Sequence, residues 1–295
     1  MKKILLTFWI SALAIFTYEF ANVPSHSTAF VKSSENRYEH AQSQTVFIQA
    51  PESSGSGFVI ERISVSDGKP RLFIWTAAHV VDDCDEVSVH RILHYNGHRS
   101  GKMVFSAKVI LRLSCDSALL SLNAPPGAFA PASFANRAPL PIGTPIFHVG
   151  NFLGILFEGS VSHGYTSQVG LSVGPWSAVD QADISAAPGA SGGPVFLDTS
   201  GAVLGILVGG PAAASRGIVC YVPVRIFEQA AVDQHFGWAV RGRYCPDDAV
   251  INLAATAALL PKKADVDQKP DSDPVKIPTR SINHSRSSPK HAAGG

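Results

Sequence analysis

An excess of either charge is missing from this chain: 24 Lys and Arg stand against 23 Asp and Glu, a formal net charge of +1 over 295 residues. That balance gives no electrostatic reason to expect nucleic acid as a partner. Cysteine is scarce as well. There are four in the sequence, with no CxxC pair and no His cluster at metal-ligand spacing, so neither a metal nor another cofactor is expected. The apolar run Ile4 to Phe16, preceded by Lys2-Lys3, falls short of the about 20 apolar residues that an ideal helix needs to cross a bilayer.

That segment has the basic start and short apolar stretch of an export signal instead. Residues 1–23 are read as a signal peptide, or as an N-terminal anchor if they stay uncleaved. Ala21 has Glu19 at the unfavourable −3 position, while Ser27-Thr28-Ala29 fits the small-x-small pattern but lies far from the apolar run. The expected location is periplasmic or secreted, and a membrane is a partner only in the uncleaved case.

What is present in quantity is apolar residues, at 45%, with 25 Gly and 20 Pro. That is ample for a core, and strand-like segments alternating with turns favour an all-β protein. Residues 24–43 are polar and read as a linker. Strands are expected from Val46-Phe47-Ile48 onward, with a hairpin at Asp67-Gly68 and a second at Asn96-Gly97. Between Asn123 and Pro141 the composition shifts to Ala and Pro, which reads as a crossover. Beyond it, Pro145–Val149, Leu156–Ser162, Val195–Leu197, Val203–Val208 and Ile218–Val222 are candidate strands. A helix is expected over Arg225 to Phe236 and another short one over Asp247 to Leu260, within a C-terminal extension at 237–260; residues 261–295 have the composition of a disordered tail.

Pro188-Gly189-Ala190-Ser191-Gly192-Gly193-Pro194 cannot be ordinary helix or strand. Such a bend can expose the Ser191 hydroxyl and aim the N–H groups of Gly189 and Ser191 into one space, the layout of an oxyanion hole. A serine hydroxyl needs a base, and the base an acid. Thr76-Ala77-Ala78-His79-Val80-Val81 follows an apolar run, and Cys115-Asp116-Ser117-Ala118-Leu119-Leu120 opens another. Taken singly, the serine reads as part of a Gly-rich turn, His79 as a packed histidine and Asp116 as a strand-end cap. Together, in the order His, Asp, Ser, they read as a catalytic triad.

At these residues the chain resembles the trypsin-like serine proteases and, within them, the HtrA (Do-like) group. The Gly-rich entry Gly55-Ser56-Gly57-Phe58, the pair Gly150-Asn151 with Val161 to Ser167, and Asp180-Gln181-Ala182-Asp183-Ile184 add to the likeness, which spans roughly residues 44 to 230. The resemblance implies two antiparallel β-barrels within residues 44–236, the first over about 44–123 and the second over about 142–224, with a C-terminal helix. It also implies a cleft between the barrels where His79, Asp116 and Ser191 meet. Too little chain follows for the PDZ domain common in the HtrA group. Ala190 departs from both patterns, aspartate in the digestive trypsins and asparagine in the HtrA group, so a switch built on an aspartate there is not expected.

The activity implied is hydrolysis of polypeptide substrates by a serine endopeptidase. Ser185, six residues before the nucleophile, is expected near the base of the specificity pocket, uncharged and suited to small or medium apolar residues. The end of the strand at Leu207, Val208 and Gly209 is a plausible edge for an extended peptide. A catalytically silent protease-like binding module is one alternative. A serine esterase is the other, since Gly189 to Gly193 also satisfies G-x-S-x-G; but Pro194 follows where a helix should, and the best His and Asp lie upstream. In an exported chain the four cysteines allow three pairings; Cys84 with Cys115 and Cys220 with Cys245 is the preferred one. The sequence does not set the oligomeric state.

Overall fold

The computed structural model describes residues 37–95, 98–210 and 217–259. The expected signal segment, the Asn96-Gly97 turn and the tail from 261 lie outside them. Strands β1 (Thr45–Gln49), β2 (Ser54–Ser64), β3 (Pro70–Thr76), β4 (Glu86–Tyr95), β5 (His98–Leu113) and β6 (Ser117–Asn123) build the first barrel. Its order is β1-β4-β5-β6-β3-β2, and β1 also pairs with β2, which curls the sheet back on itself. The Asp67-Gly68 turn joins β2 to β3 as its composition suggests, with Gly68 at φ 66.

The second barrel is closed, with β7 (Pro145–Phe152), β8 (Phe157–Val173), β9 (Trp176–Ala182), β10 (Pro194–Leu197), β11 (Val203–Gly209) and β12 (Val219–Pro223) in the order β10-β11-β12-β9-β8-β7. Closure removes the exposed edges that would otherwise recruit other chains. The crossover is laced to both barrels: Ala132 N–H donates to Val59 C=O at 2.7 Å and Ala135 N–H to Val203 C=O at 2.9 Å.

Helices close the ends. The expected linker gives way at Arg37 to α1 (Arg37–Gln44), whose Gln42 and Gln44 side chains donate to the Gly159 and Pro131 carbonyls. Helix α2 (Val224–Asp233) buries Val224, Phe227, Glu228 and Ala231, one face of a 3.6-residue period. Phe227 packs on Trp75 with ring centroids 4.9 Å apart. The charge on that buried face is met by two cations, since Glu228 is held by Arg137 from the crossover and by Arg241 from α3 (Trp238–Arg241). Beyond α3, β13 (Tyr244–Cys245) adds a parallel strand beside β2, and α4 (Asp248–Leu259) follows.

Asp180 on β9 is 2% exposed and takes a bidentate pair of bonds from Arg225 on α2, at 2.8 and 2.5 Å. It also accepts from Gly170 N–H at 2.9 Å, which ties the β8–β9 hairpin to the helix. Removing the cation leaves a buried carboxylate without its counter-charge. Arg225→Ala is therefore expected to lower stability by roughly 3 kcal/mol, read from urea unfolding followed by circular dichroism. A loss below about 1 kcal/mol would mean that Asp180 is solvated instead.

Candidate active site

The register of the first barrel brings His79 to Asp116. Thr76 at the end of β3 lies opposite Ala118 near the start of β6, so three residues past one and two before the other fall side by side. A single 3₁₀ turn, Ala78–Val80, carries His79. Backbone donors at the start of such a turn lack internal partners. That of His79 finds Asp116 Oδ1 at 3.0 Å. Asp116 adopts φ 58, a left-handed conformation that aspartate tolerates better than most residues. Its Oδ2 faces His79 Nδ1 at 2.8 Å and also accepts the indole N–H of Trp176 at 2.8 Å.

These contacts set the electrostatics. Burial pulls the His79 imidazole down, but the hydrogen bond and charge of Asp116, with a smaller push from Asp82, leave it above its ordinary value. For Asp116 burial pushes upward, and the bonds and charge of His79 with the Trp176 donor hold it below the usual carboxylate range. The imidazole is the more open partner, 40% exposed against 16% for the carboxylate.

Ser191 sits in the turn between β9 and β10, where Ala190 N–H donates to Ala187 C=O and Gly193 N–H to Ala190 C=O. The other barrel fixes this turn. Ser56 on β2 donates its N–H to Ser191 C=O and its hydroxyl to Gly189 C=O, both at 2.7 Å. The same hydroxyl accepts from the backbone N–H and the side-chain amide of Asn151, at 2.9 and 3.0 Å. Gly192, at φ 85, passes so close to β2 that a β-carbon there would stand 2.2 Å from Ser56 C=O. Gly189, at φ 94, would set one 2.3 Å from Asn151 C=O. Only glycine fits either place.

Leu153 N–H donates to Pro188 C=O at 2.7 Å. A trans peptide points its N–H opposite its C=O, so this bond turns the Gly189 N–H away from Leu153. Among the described residues neither that N–H nor the Ser191 N–H donates to any acceptor. Likewise, no hydrogen bond joins the Ser191 hydroxyl to His79 Nε2.

Other expected residues stand differently. Ser185 is exposed, and its N–H donates to the Ser162 hydroxyl at 2.8 Å. Leu207 cannot pair with a peptide through its backbone: its C=O accepts from Gly192 N–H and its N–H donates to Gly193 C=O. The strand runs on through buried Val208 to half-buried Gly209. All four cysteines are free thiols, so neither expected disulfide forms. Cys220 faces Gly209 and Gln181 in the second barrel, whereas Cys245 pairs with Ser64 in the first sheet. Cys84 and Cys115 direct their thiols to Val81 C=O and to the Ser117 hydroxyl.

Beneath the serine turn lies His148, which no local motif marks. Its Nδ1–H donates to Pro194 C=O at 2.9 Å, and its Nε2 is buried without a partner. The ring underlies the backbone of Gly150 and Gly193, so that β-carbons there would stand 2.4 and 2.6 Å from it. Burial drives its pKa down to about 4.

A trypsin-like peptidase domain model matches residues 55–206. A probable periplasmic DegP-like serine endoprotease of Brucella suis is 32% identical over 205 residues, covering 68% of this chain and 36% of that protein. The chloroplastic Protease Do-like 1 of Arabidopsis thaliana is 29% identical, covering 72% of this chain and 47% of the relative. The chain thus spans between about a third and a half of the length of the curated relatives it matches. Two solved structures share the fold. An inactive mutant form of Rv3671c from M. tuberculosis superposes with TM-score 0.52 at 20% identity, covering 67% of this chain and 89% of the other. The serine endoprotease from Yersinia pestis gives TM-score 0.52 at 20% identity, covering 68% and 65%.

The depressed His148 value has a consequence for stability. Between pH 6.5 and about 4 the unfolded chain binds a proton at this site that the folded one refuses. The contribution is intact above pH 6.5 and erodes as pH falls through that window, and below it the loss levels off at roughly 3 kcal/mol. His148→Phe should flatten the pH dependence of urea unfolding there; an unchanged slope would mean that the ring is hydrated. From the matched domain, the relatives and the double-barrel architecture together, the chain belongs to the trypsin-like peptidase family.

Proposed function

We propose that this protein is an exported serine endopeptidase in which His79, Asp116 and Ser191 act as a catalytic triad. The observation that carries the reading is the 2.8 Å contact of His79 Nδ1 with the Asp116 carboxylate, beside a serine turn anchored to β2. In the reaction, Nε2 of neutral His79 takes the Ser191 proton as Oγ attacks a peptide carbonyl. Asp116 holds the imidazole in the Nδ1–H tautomer and stabilises the imidazolium. The uncommitted N–H groups of Gly189 and Ser191 receive the developing oxyanion. His79 then protonates the leaving amine, and water repeats the cycle on the acyl-enzyme.

Export is supported by Lys2-Lys3 with the apolar run behind it and by the periplasmic location in the name of the Brucella relative. For specificity, no carboxylate stands at Ser185, so small or medium apolar residues are favoured over Arg and Lys before the cut bond. A second reading, a protease-like module that binds without cutting, draws on the Ser191 hydroxyl having no bond to His79 at rest. Such bonds often tighten only when substrate is present.

A fluorophosphonate should label the protein, and Ser191→Ala should abolish labelling while lowering kcat on casein by roughly 10⁴- to 10⁶-fold. The acid limb of kcat/KM should lie above pH 6.5, because the raised His79 value keeps the base protonated to higher pH. Unlabelled, inert protein would instead support the binding module. Cleavage of a peptide library mainly after Arg or Lys would overturn the specificity argument alone.

A further inference from the structure

Besides His79, Asp116 has a partner that comes from the other barrel. Trp176 opens β9, opposite Val173 and just past the Gly174 turn, and its Nε1–H reaches the Asp116 oxygen that faces the imidazole. The same indole lies over the end of β11: a β-carbon on Gly209 would stand 3.4 Å from Trp176 Cη2 and 3.6 Å from Cζ2. One side chain thus touches both the carboxylate and the last residue of the strand.

We propose that Trp176 is a positioning residue for Asp116, and that its ring walls the cleft above Gly209 against bulky substrate side chains directed toward Asp116. A carboxylate with donors on one side only can turn about its last torsion, which is broad and two-fold. His79 alone holds both Asp116 oxygens, through its N–H and its imidazole, and the indole N–H adds to Oδ2 a donor from the other barrel, so two separate elements grip the carboxylate. The indole also draws off part of the carboxylate charge. Without it, more of that charge acts on the imidazolium, and His79 stays protonated to higher pH. On the steric side, side chains of an extended peptide alternate between faces. Those turned toward Asp116 meet an indole packed flush against a residue with no side chain of its own.

The cleft assignment rests on the peptidase reading above, whereas the effect on His79 does not. Trp176→Phe keeps a ring and loses the donor; Trp176→Ala loses both. With folding checked by circular dichroism, Trp176→Phe should lower kcat by about 10-fold at nearly constant KM. It should also raise the His79 titration midpoint, followed by ¹⁵N NMR of the resting protein. Trp176→Ala should in addition accept bulkier residues next to the cut site. A wild type that reacts with fluorophosphonate, beside a Trp176→Phe variant with unchanged kcat and His79 midpoint, overturns the proposal. Equal losses in both variants without a midpoint shift do so too, since they mark a merely structural tryptophan. If the wild type is inert but the midpoint moves, the peptidase reading falls and the positioning of Asp116 by Trp176 stands.

Discussion

A single buried hydroxyl governs how the two barrels meet. Ser56 is fully buried, and an unsatisfied buried hydroxyl costs about 1–3 kcal/mol. Its Oγ has a donor role toward Gly189 C=O and acceptor roles toward both amides of Asn151. All of those partners belong to the second barrel, while Ser56 belongs to the first. Its backbone adds a bond to Ser191 C=O and receives one from the Thr76 hydroxyl, at 2.7 Å each. Shifting one barrel against the other would break this set together, so the serine turn is held in the frame of the strands that carry His79.

Charge is distributed to match. Away from the cleft, Asp180 and Glu228 are buried but fully paired, which fixes helix α2 and the β8–β9 hairpin without leaving a bare charge. At the cleft, the Asp116 carboxylate is shielded while the imidazole stays half open. That division shields the group whose pKa is lowered and opens the one whose pKa is raised.

Much of this was legible in the chain, because its signals are local. Asp67-Gly68 marks a hairpin through turn chemistry, and the buried face of α2 follows from helical spacing. The glycines at 189 and 192 announce a backbone that side chains would block. The order of His79, Asp116 and Ser191 singles out the residues, but the approach of His79 to Asp116 depends on the register of Thr76 with Ala118, which no local pattern states. What stayed hidden depends on contacts between distant segments. Trp176 looks like any strand aromatic until the hairpin swings it onto Asp116. His148 sits in a strand buried from Ile146 to Asn151, where nothing in the local sequence sets it apart, and Leu207 is read as an edge until the serine turn occupies its backbone. Helix α1 lacks a strong apolar stripe and is stabilised by side-chain bonds to strand β8 and to the crossover.

The four thiols lead elsewhere. Burial raises the pKa of each of them, so they stay protonated and are poor nucleophiles. A scaffold held by strand pairing and packing, with no covalent cross-link among its sulfurs, needs no oxidant to mature. Its folding is thereby uncoupled from the redox potential of the compartment in which the polypeptide first collapses.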